Sequence, residues 1–126
     1  MRRLLLPSAA LLLSAADLGG GSASAEPVAE IVTFRLNEGT DPQTFVAAAQ
    51  EMTPFLQETG SMLSRTLSAD ETGLWTDHII WTSMQAAQQA AADIMQTPAA
   101  SPFMSMIDGG TAHMRHAPIK MRLKME

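Results

Sequence analysis

The segment LWTDHIIWT, from Leu74 to Thr82, carries the strongest β-strand pattern in the 126-residue chain. Side chains alternate between the two faces of a strand, so Trp75 and Trp81 fall on the same face. Asp77 and Ile79 lie between them on that face. This alternation predicts a strand whose two faces differ in character. The opposite face carries Leu74, Thr76, His78, Ile80 and Thr82.

The residues that flank this strand predict two further elements. Asp70 to Gly73 has the composition of a hairpin turn, which would join the central strand to a second, less apolar strand from Ser61 to Ala69. On the other side, Ser83 is a good N-cap for a helix rich in Ala and Gln that extends to about Gln96. The pair Thr97-Pro98 ends that helix.

The N-terminal half predicts a strand followed by a helix. Val28 to Asn37, VAEIVTFRLN, is rich in β-branched and aromatic residues, which favour strands. Asp41 is placed to cap a helix that has Pro42 at its first position, where the missing N–H costs nothing. Apolar residues then recur with helical spacing, a kink is expected at Pro54, and Gly60 ends the helix.

The C-terminal part predicts a helical turn from Pro102 to Ile107, a turn at Asp108-Gly109-Gly110, and a last strand from Thr111 to Met121 that is broken at Pro118. The order strand, helix, strand, strand, helix, strand predicts an α+β, ferredoxin-like fold. In that fold two helices cover one face of a four-stranded antiparallel sheet. A small protein rarely leaves a sheet face with two tryptophans in water, so we expect a partner to cover the open face.

The first 25 residues predict a secretory signal peptide. A basic start is followed by an apolar run from Leu4 to Ala16, and the sequence Ala23-Ser24-Ala25 matches a cleavage site. The apolar run of about 13 residues is shorter than the roughly 20 that a membrane span needs, which favours a cleaved signal over an anchor. We therefore expect one domain at residues 26–126 and a periplasmic or secreted location, with no stable membrane association after cleavage.

The charge balance argues against nucleic acid as a partner. The chain has 8 Lys and Arg and 13 Asp and Glu, a net charge of −5. Residues 1–25 hold Arg2, Arg3 and Asp17, so the rest of the chain has a net charge of −6. Phosphate binding needs clustered cations. The chain has no cysteine, which excludes disulfides, and its 10 methionines are interpreted as core filler rather than as a copper site.

The segment WTDHIIWTSMQAA, from Trp75 to Ala87, resembles the third strand and second-helix start of the antibiotic biosynthesis monooxygenase-like proteins. In that family the strand ends in Trp and is followed by a Ser or Asp cap, a polar turn and paired alanines. The pairs Pro102-Phe103 and Ile107-Asp108, and a final strand containing His116, also fit the family. The resemblance spans about residues 28–118 and extends over nearly all of the domain.

The resemblance implies a dimeric α/β barrel in which two ferredoxin-like subunits join their open sheet faces. It also implies a strand order of 4-1-3-2 and a cavity between sheet and helices. Some members of the family oxidise aromatic compounds without metal or flavin, and others degrade haem. The haem-degrading members carry a Trp and a His on the second helix, and the segment Ser83 to Gln96 has neither, which argues against haem.

Two functions are favoured, and a third, a haem or metal binder, has the three histidines in its favour and their spacing against it. The first is a homodimeric, cofactor-independent monooxygenase acting on an aromatic or quinone-like small molecule. The second is a non-catalytic protein on the same scaffold that binds a ligand or responds to stress. For the first function, the residues to test are His78 as base, His116 as hydrogen-bond donor and Trp81 as pocket wall.

Three other residues are candidates for binding in the pocket: Trp75, Arg35 and His113. Arg35 shares a strand face with Ile31 and Thr33, and would bind an anion if that face looks into the cavity. Residues three apart on a strand point to opposite faces, so His113 and His116 are not expected to share a site, and no metal site is predicted from them. The histidines are also compatible with ordinary positions in a sheet or on the surface.

Overall fold

The computed structural model describes residues 26–124, and the predicted signal peptide lies outside the described residues. The described part forms one antiparallel sheet with helices packed against one of its faces. The strands are β1 (Val28–Leu36), β2 (Met62–Ala69), β3 (Trp75–Trp81) and β4 (Ile107–Pro118), and the helices are α1 (Pro42–Gln50), α2 (Thr53–Glu58), α3 (Met84–Ile94) and α4 (Ser101–Ser105), with a 3₁₀ turn at Pro98–Ala100.

The strand order is β2-β3-β1-β4, and every neighbouring pair is antiparallel. Read from the opposite edge of the sheet, this order is 4-1-3-2. The structure therefore confirms the predicted ferredoxin-like fold and strand order. The first strand lies in the centre of the sheet between β3 and β4. Glu30, Val32 and Phe34 of this strand face the helices, as do the two tryptophans of β3.

Two helices begin where the sequence predicts because a side chain caps each of them. An Asp41 carboxylate oxygen accepts a hydrogen bond from the Thr44 backbone N–H at 2.9 Å, ahead of α1. The Ser83 hydroxyl accepts one from the Ala86 backbone N–H at 3.1 Å, ahead of α3. Each bond satisfies a backbone donor that has no partner inside its helix.

The kinked first helix that the sequence predicts is divided into two separate helices. α1 ends at Gln50, and α2 begins at Thr53 with Pro54 in its first turn. In one continuous helix, Pro54 would have no N–H to donate to the Gln50 carbonyl four residues earlier, and its ring would clash with that carbonyl. Met52 lies between the two helices and is buried.

The predicted turn at Asp108-Gly109-Gly110 is wrong, because these residues belong to β4. The strand pairing shifts register between Thr33 and Arg35, which marks a β-bulge opposite this segment. The Arg35 backbone N–H donates to the Thr111 hydroxyl at 2.8 Å, so a side chain replaces a ladder partner at the bulge. The strand ends at Pro118, where the sequence predicts a break, and does not continue to Met121.

The core is aromatic and lies between the sheet and the helices. The Phe45 ring is stacked on Phe103 at 4.8 Å and meets Trp75 edge-on at 5.0 Å. Both tryptophans thus face the helices rather than the open face, so they give no reason for a partner to cover the open face. The interpretation of the methionines as core filler is correct for only part of them. Met52 is buried and Met62 and Met106 pack against the core, whereas four others are exposed: Met95, Met104, Met114 and Met121.

Candidate functional site

A cavity of about 380 Å³ lies between the helix-covered face of the sheet and the helices. Its volume falls within the roughly 300–1,000 Å³ of small-molecule sites in proteins. The sheet contributes Phe34, Ile79 and Trp81 to the wall, and the helices contribute Phe55 and Leu56 among other apolar side chains. The lining is therefore predominantly hydrophobic and aromatic, with few polar groups.

Small residues on α3 leave this space open. Ala90 and Ala91 both line the cavity, and neither side chain extends beyond its Cβ atom. Ala87 and Ala90 are buried, so this helix packs close to its neighbours. Ser83 fixes the start of the helix and thereby the positions of these alanines. The alanine-rich sequence of α3 therefore produces both the close packing and the cavity.

One carboxylate of the cavity wall is bonded to a histidine. Glu30 lines the cavity from the centre of β1, and an Oε1 oxygen lies 3.0 Å from the Nε2 atom of His116. The two residues are directly opposite each other in the pairing of β1 and β4. The Glu30 side chain is 10% exposed and that of His116 is 20% exposed. A buried carboxylate needs such a partner, and the second oxygen of Glu30 can accept a further proton or hydrogen bond.

An ion pair closes another side of the cavity. Arg65 on β2 donates from Nε and Nη2 to the two carboxylate oxygens of Asp77 on β3, at 3.0 and 2.7 Å. Its Nη1 donates to the backbone carbonyl of Ala49 at 3.1 Å, and its guanidinium carbon lies 5.2 Å from the centre of the Phe103 ring. This arginine therefore links the sheet to two helices, and its charge is neutralised within the wall.

One polar atom of the wall has no partner. Trp81 is 2% exposed, and its Nε1 donor is buried without a hydrogen bond. Leaving a buried donor unpaired costs about 1–3 kcal/mol. Most buried donors in proteins are paired, so an exception beside a cavity is a feature that a bound molecule could explain.

The structure places three of the predicted site residues away from the cavity. His78 lies opposite Ile31 and Thr66 on the open face of the sheet, because it alternates with Asp77. Trp75 is buried against Phe45 in the core and does not line the cavity. The catalytic assignment of His78 stays a prediction, and it requires chemistry on the open face.

Arg35 is the third residue outside the cavity. It is exposed, and its Nη1 donates to the Thr72 carbonyl of the β2–β3 turn at 2.7 Å. His113 borders the cavity from β4, but its Cα pairs with Thr33, so its side chain belongs to the open face of the sheet. Of the predicted site residues, Trp81 thus lies in the cavity wall, and His116 reaches the cavity through Glu30.

Glu30 and Arg65 are site residues that were not predicted from the sequence. A signal for Glu30 was available. It is the one charged residue in the segment VAEIVTF, and it shares a strand face with Val28, Val32 and Phe34. A carboxylate on an apolar strand face indicates a buried and paired group. Arg65 gave no comparable signal, since the strand around it is mixed in character and its partner Asp77 is twelve residues later.

Within residues 26–124, no three His, Asp or Glu side chains are grouped as metal ligands. None of the helices in that range is long and apolar enough to cross a membrane. No family model matches the chain, and no curated protein is similar to it in sequence.

Solved structures with the same fold include cofactor-independent oxygenases. A variant of SnoaB, a cofactor-independent oxygenase from Streptomyces nogalater, superimposes with a TM-score of 0.64 at 16% identity and covers 80% of this chain and 100% of its own. A candidate antibiotic biosynthesis monooxygenase from Caulobacter crescentus gives 0.61 at 10% identity over 78% of this chain and 93% of its own.

A third similar structure is a dimeric ferredoxin-like protein of unknown function from Thermobifida fusca. It gives a TM-score of 0.59 at 9% identity and covers 75% of this chain and 92% of its own. At these identities the similarity establishes the fold. The chain therefore has the fold of the antibiotic biosynthesis monooxygenase-like proteins, which confirms the resemblance noted in its sequence.

Proposed function

We propose that this protein is a small, exported, homodimeric oxygenase that oxidises an aromatic or quinol-like compound without a cofactor. The observation that carries the proposal is the apolar cavity with the Glu30 carboxylate in its wall. The similarity in fold to a cofactor-independent oxygenase supports it. Fold alone does not define an activity, so the argument rests on the cavity.

The lining supports an uncharged, flat ligand. Aromatic walls such as Phe34, Phe103 and Trp81 match the faces of an aromatic compound. The one arginine of the lining, Arg65, already uses Nε, Nη1 and Nη2 in hydrogen bonds. The charge of this guanidinium is already balanced by Asp77, so an anionic ligand would find no unbalanced cation there, whereas a neutral phenol needs only an acceptor for its hydroxyl group.

Glu30 is the group best placed to accept that hydroxyl proton. Removing the proton makes the ring electron-rich, so that it can transfer electrons to O₂ without another reductant. For a naphthol, one oxygen atom of O₂ becomes the second carbonyl of a naphthoquinone. The other leaves as water with the two hydrogens that the naphthol loses. His116 acts as a positioning residue, since it holds the carboxylate through Nε2.

The open face of the sheet is the proposed dimer interface. Ala29 is buried there, and Ile31 and Ile80 are partly buried in the same region. The similarity to a dimeric ferredoxin-like protein supports this arrangement. His78 would then lie at the interface between subunits.

The test is oxygen uptake by the purified protein with a panel of naphthols and hydroquinones. The variant Ala91→Trp fills the cavity, because it adds an indole to a helix position in the lining. Oxygen uptake by the unmodified protein that yields quinone and water, and loss of this uptake in Ala91→Trp, would support the proposal. Binding of the same compounds without uptake would instead indicate the non-catalytic alternative.

Export is tested independently of activity. The proposal expects the protein to be found outside the cytoplasm with Glu26 as its first residue, because the cleavage site ends at Ala25. N-terminal sequencing of the protein from fractionated cells measures this directly. A chain that starts at Met1 in the cytoplasmic fraction would contradict it.

A further inference from the structure

Four methionines line the cavity, and three of them are exposed. Met95 follows directly after α3, Met104 lies in α4, and Met114 lies in β4 opposite Val32. Val32 lines the cavity as well, so the Met114 position belongs to the helix-covered side of the sheet. We call Met95, Met104 and Met114 the methionine rim.

The rim differs from the buried apolar part of the lining in its exposure. Met95 is 74% exposed, Met104 43% and Met114 54%, although all three are large apolar side chains. Met52 also lines the cavity but is 2% exposed, so it marks the deep part. Solvent therefore reaches the rim before it reaches the interior of the cavity.

We propose that the methionine rim is an oxidation site, and that its conversion to methionine sulfoxide by hydrogen peroxide lowers the affinity of the cavity for apolar ligands. In each step a thioether sulfur attacks one peroxide oxygen, an S–O bond forms and the O–O bond breaks. The remaining oxygen leaves as water after it takes up a proton. The methionine loses two electrons and the peroxide gains them. The proposal rests on the ligand-binding role of the cavity in the proposed function.

The sulfoxide oxygen is a strong hydrogen-bond acceptor and is poorly suited to an apolar lining. Three of the five N–H donors of Arg65 are already bonded, to Asp77 and Ala49, and the Trp81 Nε1 donor is buried and unpaired. A sulfoxide turned inward that bonded to Trp81 would occupy the space and the donor that a ligand needs, and one turned outward would bring water to the mouth. Either orientation replaces the apolar contact that a flat ligand would make with the thioether.

The test measures binding of the neutral dye Nile red to the full protein before and after treatment with hydrogen peroxide. Mass spectrometry of peptides locates the sulfoxides. The Met95→Leu/Met104→Leu/Met114→Leu variant keeps the rim apolar and removes the oxidisable sulfurs. Met121→Leu is the matched control, because Met121 is 81% exposed and lies outside the cavity lining.

We expect oxidation at the three rim positions ahead of Met52, with binding of Nile red weakened about tenfold, or about 1.4 kcal/mol. The rim variant should keep its affinity after peroxide treatment, and the Met121 variant should lose it as the unmodified protein does. Treatment with methionine sulfoxide reductase should restore binding.

Two results would overturn the proposal. One is unchanged affinity in protein whose rim is shown to be oxidised, and the other is an equal loss in the rim variant. Absence of dye binding to the untreated protein, or its persistence in Ala91→Trp, would contradict the cavity as the binding site. A failure of oxygen uptake alone would affect only the proposed enzymatic activity, because the dye measures binding and not turnover.

Discussion

The two faces of the sheet are made from alternate residues of the same strands, yet they have different chemistry. The helix-covered face of β3 carries Asp77 and Trp81, both buried, and Asp77 is held by Arg65. The open face of the same strand carries His78 between Ile31 and Thr66, with partial exposure. A shift of one residue along the strand therefore separates a packed, paired environment from an uncovered one.

This difference shows that position can outweigh residue type when a site is sought. His78 attracts attention because histidine is a frequent acid or base, but it lies on the face away from the cavity. Glu30 is an ordinary residue type in a small acidic protein. It becomes a candidate because it lies in the wall of an apolar cavity.

Trp81→Ala should produce the largest loss of stability. The side chain is 2% exposed, and removing a buried aromatic group costs about 3–5 kcal/mol. His78→Ala on the other face of the strand should cost about 1 kcal/mol or less. Urea unfolding of both variants measures the difference. A loss below about 1 kcal/mol for Trp81→Ala would mean that the indole is free of the core.

Arg65→Met should destabilise the fold by about 3 kcal/mol, because it leaves the buried Asp77 carboxylate without its partner. The double variant Arg65→Met/Asp77→Leu removes both charges and should recover most of the loss. Free energies of unfolding for the two single variants and the double variant form the complete cycle. If Arg65→Met and the double variant lost the same free energy of unfolding, the unpaired Asp77 carboxylate would not be the cause of the destabilisation.

Ile31→Lys tests the open face without altering the cavity. Ile31 pairs with His78 on one side and Arg115 on the other, so a lysine adds a cation beside an existing one. If two copies meet through this face, dimerisation should weaken about 100-fold, since like charges at an interface cost several kcal/mol. Sedimentation equilibrium measures the change, and Glu58→Lys on the exposed end of α2 is the control. An unchanged dimer would place the interface elsewhere.

Asp70→Asn should have the smallest effect, because the β2–β3 turn belongs to neither face. The Thr72 hydroxyl and the Leu74 backbone N–H donate to Asp70, which lowers its pKa below 3.8 in the folded protein. A depressed carboxyl pKa contributes stability that is present above pH 3.8 and is lost as the pH falls through the folded value.

The difference in melting temperature between wild type and Asp70→Asn should therefore be larger at about pH 6 than at about pH 2. Thermal unfolding across that range measures it. A difference that does not change with pH would show that the charge of Asp70 adds nothing to the turn.

Much of the fold could be predicted from the sequence because its signals are local. The alternation in LWTDHIIWT and the caps at Asp41 and Ser83 depend on residues close in the chain. The strand through Gly109-Gly110 could not be predicted that way, because the bulge depends on pairing with residues near position 35. Paired glycines between strands and helices usually indicate a turn, and tertiary pairing overrides that preference here.

The site was less predictable than the fold because its groups meet only after folding. Glu30 and His116 are 86 residues apart in the chain but directly opposite in the sheet. Sequence analysis selected His116 and Trp81, but not the carboxylate that connects His116 to the cavity. The exposed methionines were assigned to the core because composition does not show which side chains lie at a cavity mouth.

The proposed chemistry takes place in the cavity on the helix-covered face of the sheet. The most direct measurement is oxygen uptake with the naphthol panel by Glu30→Gln and His78→Gln proteins. Glu30→Gln keeps the shape of the side chain and removes the base, so the rate should fall about 100-fold or more, while His78→Gln should stay close to wild type. A rate lost in His78→Gln and retained in Glu30→Gln would contradict the account and move the site to the open face.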